Sequence, residues 1–195
     1  MGSSRDRKPD RSANGLSLFS HLVSTKAVII MVLIFVSGMV LNKVFFEPYF
    51  TMQANGNPYI ETMLFYTPQT LYTLVDDYGA HGREMYTKWS IGLDFILPLQ
   101  YSVCFASCAA WISRKLSLSE RLGRVALVSG TVLCLSDWLE NVFLLIVVNR
   151  FPQMLIAVSV AANVMTLLKS ALTIAFLAAI GIGFLIYLVH RITEK

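Results

Sequence analysis

Two carboxyls and an amide stand in the middle of an otherwise apolar run, in the segment Ser136-Asp137-Trp138-Leu139-Glu140-Asn141 between Val125 and Val148. At helical spacing Asp137, Glu140 and Asn141 project from one face, with Cys134 and Gly130 one and two turns earlier. An ionisable group at mid-bilayer costs about 2.5–3.5 kcal/mol on insertion scales, so this face must meet other helices or a wet cavity. Carboxyls in such surroundings are the usual stock of general acid–base catalysis and of proton transfer.

Candidate partners lie on two other apolar segments. Asp94 follows Lys88 closely, and Tyr101 lies two turns deeper on the same face. Further on, Asn163, Thr166, Lys169 or Ser170, and Thr173 form a polar stripe at i, i+3, i+4 spacing, in which Lys169 is the only buried base. Asp137 lies about 20 Å past Arg124 at 1.5 Å per residue, near the bilayer midplane. The three segments thus present polar faces at similar depth and are expected to face one another. Asp137, Glu140 and Asp94 are the catalytic candidates, and Asn141, Lys169, Tyr101, Arg83, Asn163 and Thr166 are the binding candidates. The competing reading is that the same groups are interhelical hydrogen bonds that hold the helices in register.

The elements that must position these groups follow from length and composition. The chain has 195 residues, 55% hydrophobic and 14% charged, and its composition is that of a membrane-embedded domain. An all-α fold is predicted: a polytopic membrane four-helix bundle with spans at about 27–46, 88–112, 125–148 and 159–189. Residues 1–25 are read as a disordered cytoplasmic tail and 26–190 as the transmembrane domain, with the first span a retained signal anchor. Gly2 suits a myristoylation signal, but Asp6 stands where that signal needs Ser or Thr. Pro48 is expected to end span one. The last apolar stretch exceeds one bilayer thickness, so it is expected to tilt, to break near Gly181-Ile182-Gly183, or to begin with an interfacial piece.

Between spans one and two lies the only sizeable loop, mixed in polarity and rich in tyrosine. Thr67-Pro68 makes a helix start, Leu71, Leu74, Val75 and Tyr78 follow at helical spacing, and Gly79 supplies a stop. A short amphipathic helix is predicted there, with the tyrosines as membrane-interface anchors. Within span two, Pro98 removes a donor and frees the Asp94 carbonyl, which a neighbouring group must then satisfy.

Orientation follows from the basic residues. Arg5, Arg7, Lys8, Arg11 and Lys26 precede span one, Arg114, Lys115, Arg121 and Arg124 separate spans two and three, and Arg191 and Lys195 follow span four. Only Lys43, Arg83, Lys88 and Arg150 fall on the other side. Both termini are therefore expected in the cytoplasm, with the tyrosine-rich loop exoplasmic.

Other chemistries find no support. Cys104, Cys108 and Cys134 lie inside apolar runs without a CxxC pair and read as small core residues. His21, His81 and His190 are far apart in topology and assemble no metal set, so neither metal nor cofactor is expected. Arg83 reads either as an anion contact above the site or as a lipid-phosphate contact. Gly181-Ile182-Gly183 reads as close helix packing, since no Lys-Ser/Thr follows it. The net charge of +4 is accounted for by the flanks of the spans, and no nucleic-acid partner is implied.

The run Tyr78-Gly79-Ala80-His81-Gly82-Arg83-Glu84-Met85-Tyr86, with Asp94, Pro98-Leu99, Tyr101 and then Asp137-Trp138-Leu139-Glu140-Asn141, resembles a pattern in small four-span membrane proteins of unassigned activity. The resemblance covers about residues 67–145 and implies the four-span topology and the same choice of residues. The leading expectation is a buried acidic site that binds or converts a membrane lipid or lipid-like molecule by acid–base chemistry. The alternatives are a proton-linked transporter or channel component, and a scaffold whose polar network is glue. A homo-oligomer is compatible with the sequence.

Overall fold

The computed structural model describes residues 23–193; the predicted tail through residue 22, with His21, lies outside the described residues. Those residues are all-helical, with no strand among them. Helix α1 (Thr25–Leu41) passes through a wide π-helical turn (Asn42–Phe46) into α2 (Glu47–Gln53). A 3-10 turn (Ile60–Thr62) leads to α3 (Pro68–Asp77), α4 (Gly79–Gly92), α5 (Leu97–Lys115), α6 (Glu120–Arg150) and α7 (Ile156–Thr193).

Among the described residues, three helical runs are long and apolar enough to cross a membrane: Thr25–Gln53, Glu120–Arg150 and Ile156–Thr193. The pair α4 and α5 makes a fourth if it counts as one span, bent by 45°. These lengths are compatible with an integral, multi-pass membrane protein.

The expected limits need correction at three places. Pro48 does not end span one, for the helix continues to Gln53. A proline ring collides with the carbonyl four residues earlier, here Val44, and Val44 sits in the wide turn, where the backbone departs from α geometry. Span two is not one helix over 88–112, because it breaks at Leu93–Ile96 just before Pro98 and its first half reaches back to Gly79. The last helix neither breaks at Gly181 nor starts with a separate piece; it runs unbroken for 38 residues.

Helix α6 is central. Over its most apolar stretch half the residues are buried, against 6% for α1–α2 and for α7. It packs most extensively on α5 and α7, while α1 leans on α5. Gly130 lets α5 and α6 approach, since a Cβ there would stand 2.9 Å from the Ala106 Cβ and 3.1 Å from the Ser102 carbonyl oxygen. Gly183 does the same against Ile112, as its sequence context suggests, whereas Gly181 faces open space. Cys104, Cys108 and Cys134 are buried free thiols.

The segment from α2 to α4 folds as a cap with its own core. The predicted α3 forms as expected: Thr67 caps it by accepting from the Thr70 amide at 3.1 Å, and Gly79 turns the chain at φ +65°. Its Leu71, Val75 and Tyr78 are buried with Phe50, Ile60 and Tyr66. The tyrosines are therefore not all interface anchors. Tyr66, Tyr78 and Tyr86 are 0–1% exposed; the Tyr78 and Tyr86 rings pack on each other and on Phe50, and Tyr66 is buried in the same core. Most of these hydroxyls find partners: Tyr78 donates to Pro58 O at 2.7 Å, Tyr72 to Gln153 O at 2.9 Å, and the Tyr66 hydroxyl bonds to that of Thr166 at 3.0 Å, whereas the buried Tyr86 hydroxyl has none.

Candidate functional site

The helix break makes the site. The helix is interrupted at Leu93 to Ile96 between α4 and α5; the Leu93 and Ile96 carbonyls still accept from the Leu97 and Gln100 amides, while those of Asp94 and Phe95 need donors inside an apolar bundle. Helix α6 supplies them from the motif that stood out in the sequence. Asn141 Nδ2 donates to the Asp94 carbonyl at 2.8 Å, and Trp138 Nε1 donates to the Phe95 carbonyl at 2.9 Å. Two members of the motif thus hold the break open, and the other two carry charge.

Asp94 turns its carboxylate inward from the break and is 9% exposed. The Tyr59 hydroxyl donates to its Oδ2, and the Ser90 hydroxyl lies 3.4 Å from the same oxygen. Below it, Tyr101 of α5 donates to Asp137 Oδ2. Lys169 of α7 reaches three carboxylates: Glu140 Oε2 at 2.6 Å, Asp137 Oδ1 at 3.4 Å and Glu61 Oε2 at 3.9 Å. Glu140 is wholly buried and also accepts from the Thr166 hydroxyl at 2.7 Å.

Acids from two separate parts of the chain, α6 and the 3-10 turn, therefore converge on one ammonium, with Asp94 beside them. Asp94, Asp137, Glu140, Asn141, Tyr101, Thr166 and Lys169 come together as their spacing predicts. Asn163 sits above them and accepts from the Tyr66 amide at 3.0 Å, tying the cap to α7. Arg83 is not at the site. It donates to the Val75 carbonyl at 3.1 Å, in the last turn of α3, and its guanidinium lies 4.5 Å from the centre of the Phe151 ring. His81 bonds to Gln53 at 2.8 Å on the surface of the cap.

Beside the cluster lies a cavity of about 600 Å³, within the range of small-molecule sites. Asp94, Asp137, Glu61, Lys169, Tyr59 and Tyr101 line its polar end. Phe35 and Met39 of α1, Leu97 and Phe105 of α5, and Ile174 and Leu177 of α7 give it an apolar wall. Glu140 and Asn141 do not line the cavity: the first neutralises Lys169 from behind, and the second braces the break.

Sequence spacing missed Glu61 and Tyr59. Glu61 sits in the short 3-10 turn and Tyr59 just before it, a stretch too short for any period to tell which way a side chain points. The one available signal was a carboxyl two residues from a tyrosine in a segment of mixed polarity. Burial, first, and then the Asp94 charge hold the Glu61 carboxyl well above the usual carboxylate range, although Lys169 pulls the other way. Burial and the Glu61 charge raise the Tyr59 phenol as well, so it stays protonated and donates.

Chemically, the arrangement offers carboxyl groups in contact with a cavity, phenols that orient them, and a lysine that balances part of their charge. Among the described residues no group of His, Cys, Asp and Glu is arranged to hold a metal ion. Compared with family models, curated proteins and solved structures, the chain matches none.

Proposed function

We propose that this protein binds a lipid-like amphiphile, with its polar end at Asp94, Asp137 and Glu61 and its apolar body along Phe35, Leu97, Phe105 and Leu177, and acts on it by acid–base chemistry. The observation that carries this reading is the cavity itself, which joins a carboxyl cluster to an apolar wall in one space. A proton relay needs a chain of polar groups across the bundle, whereas here the carboxyls gather around Lys169 and the wall also carries a large apolar share, from Phe35, Met39, Leu97, Phe105, Ile174 and Leu177.

In this reading the chain crosses the membrane four times with α4 and α5 as one broken span. Both termini are cytoplasmic, and the cap covers the cluster from the exoplasmic side. The distribution of Lys and Arg supports that orientation. Asp137 and Asp94 face the ligand as the groups that take and return a proton. Glu140 and Asn141 position them through Lys169 and the Asp94 carbonyl.

The test compares Asp94→Asn, Asp137→Asn and Glu140→Gln in purified protein, monitoring folding by size exclusion and circular dichroism and bound lipid by native mass spectrometry. The proposal expects folded Asp94→Asn and Asp137→Asn proteins that have lost lipid binding or turnover. Folded variants that keep their lipid but lose pH-driven uptake in vesicles would favour transport. Variants that simply fail to assemble would favour the scaffold reading.

A further inference from the structure

The polar end of the cavity is unbalanced in a way that selects among amphiphiles. Four carboxyls line the cavity, Glu47, Glu61, Asp94 and Asp137; Glu47 has its own partner in Lys43 at 2.6 Å, which leaves three against one ammonium, Lys169. That ammonium also lines the wall, but its shortest contact, 2.6 Å, is to Glu140, which does not line the cavity. The phenol donors are committed too, Tyr59 to Asp94 and Tyr101 to Asp137. The Glu61 carboxyl meets that of Asp94 and, through Oε2, Lys169 at 3.9 Å, and its buried Oε1 receives no hydrogen bond from a neighbouring donor. Buried polar atoms are nearly always satisfied, so an orphan at a cavity wall marks the place of a missing donor.

An anionic head, such as a phosphate or a fatty-acid carboxylate, would meet like charge in a site with little water to screen it. A neutral hydroxyl would satisfy one oxygen and leave the charge as it stands. A protonated amine supplies three donors and the missing positive charge together, and charge-assisted hydrogen bonds to carboxylates are about twice as strong as neutral ones. Resting on the lipid-binding reading above, we propose that the ligand is a long-chain amine whose ammonium sits between Glu61, Asp94 and Asp137 with its chain along the apolar wall.

The test uses the purified full-length protein and three probes of equal chain length: a primary alkylamine, the matching fatty alcohol and the matching fatty acid. Binding is followed by native mass spectrometry and by ligand-dependent thermal shift. The amine is expected to bind at least about tenfold more tightly than the alcohol, and the acid more weakly than either. Glu61→Gln should shrink the amine's advantage over the alcohol while leaving the alcohol's own affinity within about twofold. The wild-type ranking alone is decisive if that variant does not fold. Equal binding of all three probes, or tightest binding of the acid, overturns the head-group inference and leaves the lipid reading standing. Binding of none overturns both.

Discussion

The cap and the cavity beneath it bury polar groups in opposite ways. In the cap the buried polar groups are neutral: the Tyr78 and Tyr72 hydroxyls donate to the backbone carbonyls of Pro58 and Gln153, the Tyr86 hydroxyl goes without a partner, and the rings around them supply ordinary apolar burial. In the cavity, charged groups from α4–α5, α6, α7 and the loop before α3 converge with more acids than bases. The first arrangement is what a stable soluble core would choose; the second is stable only as a set, and it leaves an oxygen of Glu61 unanswered. Stability and ligand chemistry are thus assigned to adjacent regions, and substitutions should separate them.

The largest effect is expected at Lys169. Lys169→Met leaves Glu140, Asp137 and Glu61 without their shared cation and should cost about 3–5 kcal/mol, seen as loss of folded protein on size exclusion. Adding Glu140→Leu to it should recover part of that loss, since removing both partners of a buried pair is milder than removing one. In the cap, Leu71→Ala should cost about 2–5 kcal/mol in denaturant unfolding, and the protein that remains folded should bind lipid as the wild type does. If binding falls in step with stability, the two regions are not separable in this way.

Asn141→Ala comes next. It strands the Asp94 carbonyl at the helix break and should cost about 1–3 kcal/mol by thermal unfolding. Because the break aims Asp94, ligand affinity should fall as well, and unchanged affinity would show that the break holds without its brace.

The smallest effect concerns pH. Glu61 faces Asp94 at the break, Asp137 and Glu140 on α6, Lys169 on α7 and Tyr59 in its own segment. Its proton is held more tightly in the folded protein, chiefly through burial. The stability it contributes is therefore complete below the unfolded carboxyl's ordinary value of about 4.3 and is lost as pH rises through the higher folded value. Glu61→Gln should gain on the wild type in melting temperature as pH rises from acid to neutral. A gap that widens toward acid would mean instead that Lys169 holds the ionised form.

Much of this was legible in the sequence, and the residues explain why. Long apolar runs and the positions of Asp137, Glu140, Asn141 and Lys169 depend on helical period, which a sequence displays directly. The cap helix was legible from Thr67-Pro68 and Gly79, whose conformational preferences are local. Pro98 signalled a freed carbonyl at Asp94, and Asn141 proved to be its donor. Hidden were the features made by chain returning on itself. The tyrosines of the cap look like interface residues until Phe50 and α3 are seen to enclose them, and Arg83 looks like an anion contact until Val75 and Phe151 are seen to hold it. Glu61 reaches the site only because the short 3-10 turn folds inward, which no periodicity records.

The central claim is that the space beside the carboxyls is a ligand site, and Gly38 of α1 allows the most direct test. Gly38 lines the cavity, and a Cβ built there would meet only the Gln100 side chain, at 3.4 Å. Gly38→Phe should therefore fill the space without touching Asp94, Asp137 or Lys169. Native mass spectrometry of the folded variant beside the wild type should show the bound amphiphile reduced at least about tenfold, with helicity and elution unchanged. Equal occupancy in the two proteins would contradict the account and return the carboxyl cluster to a purely structural role.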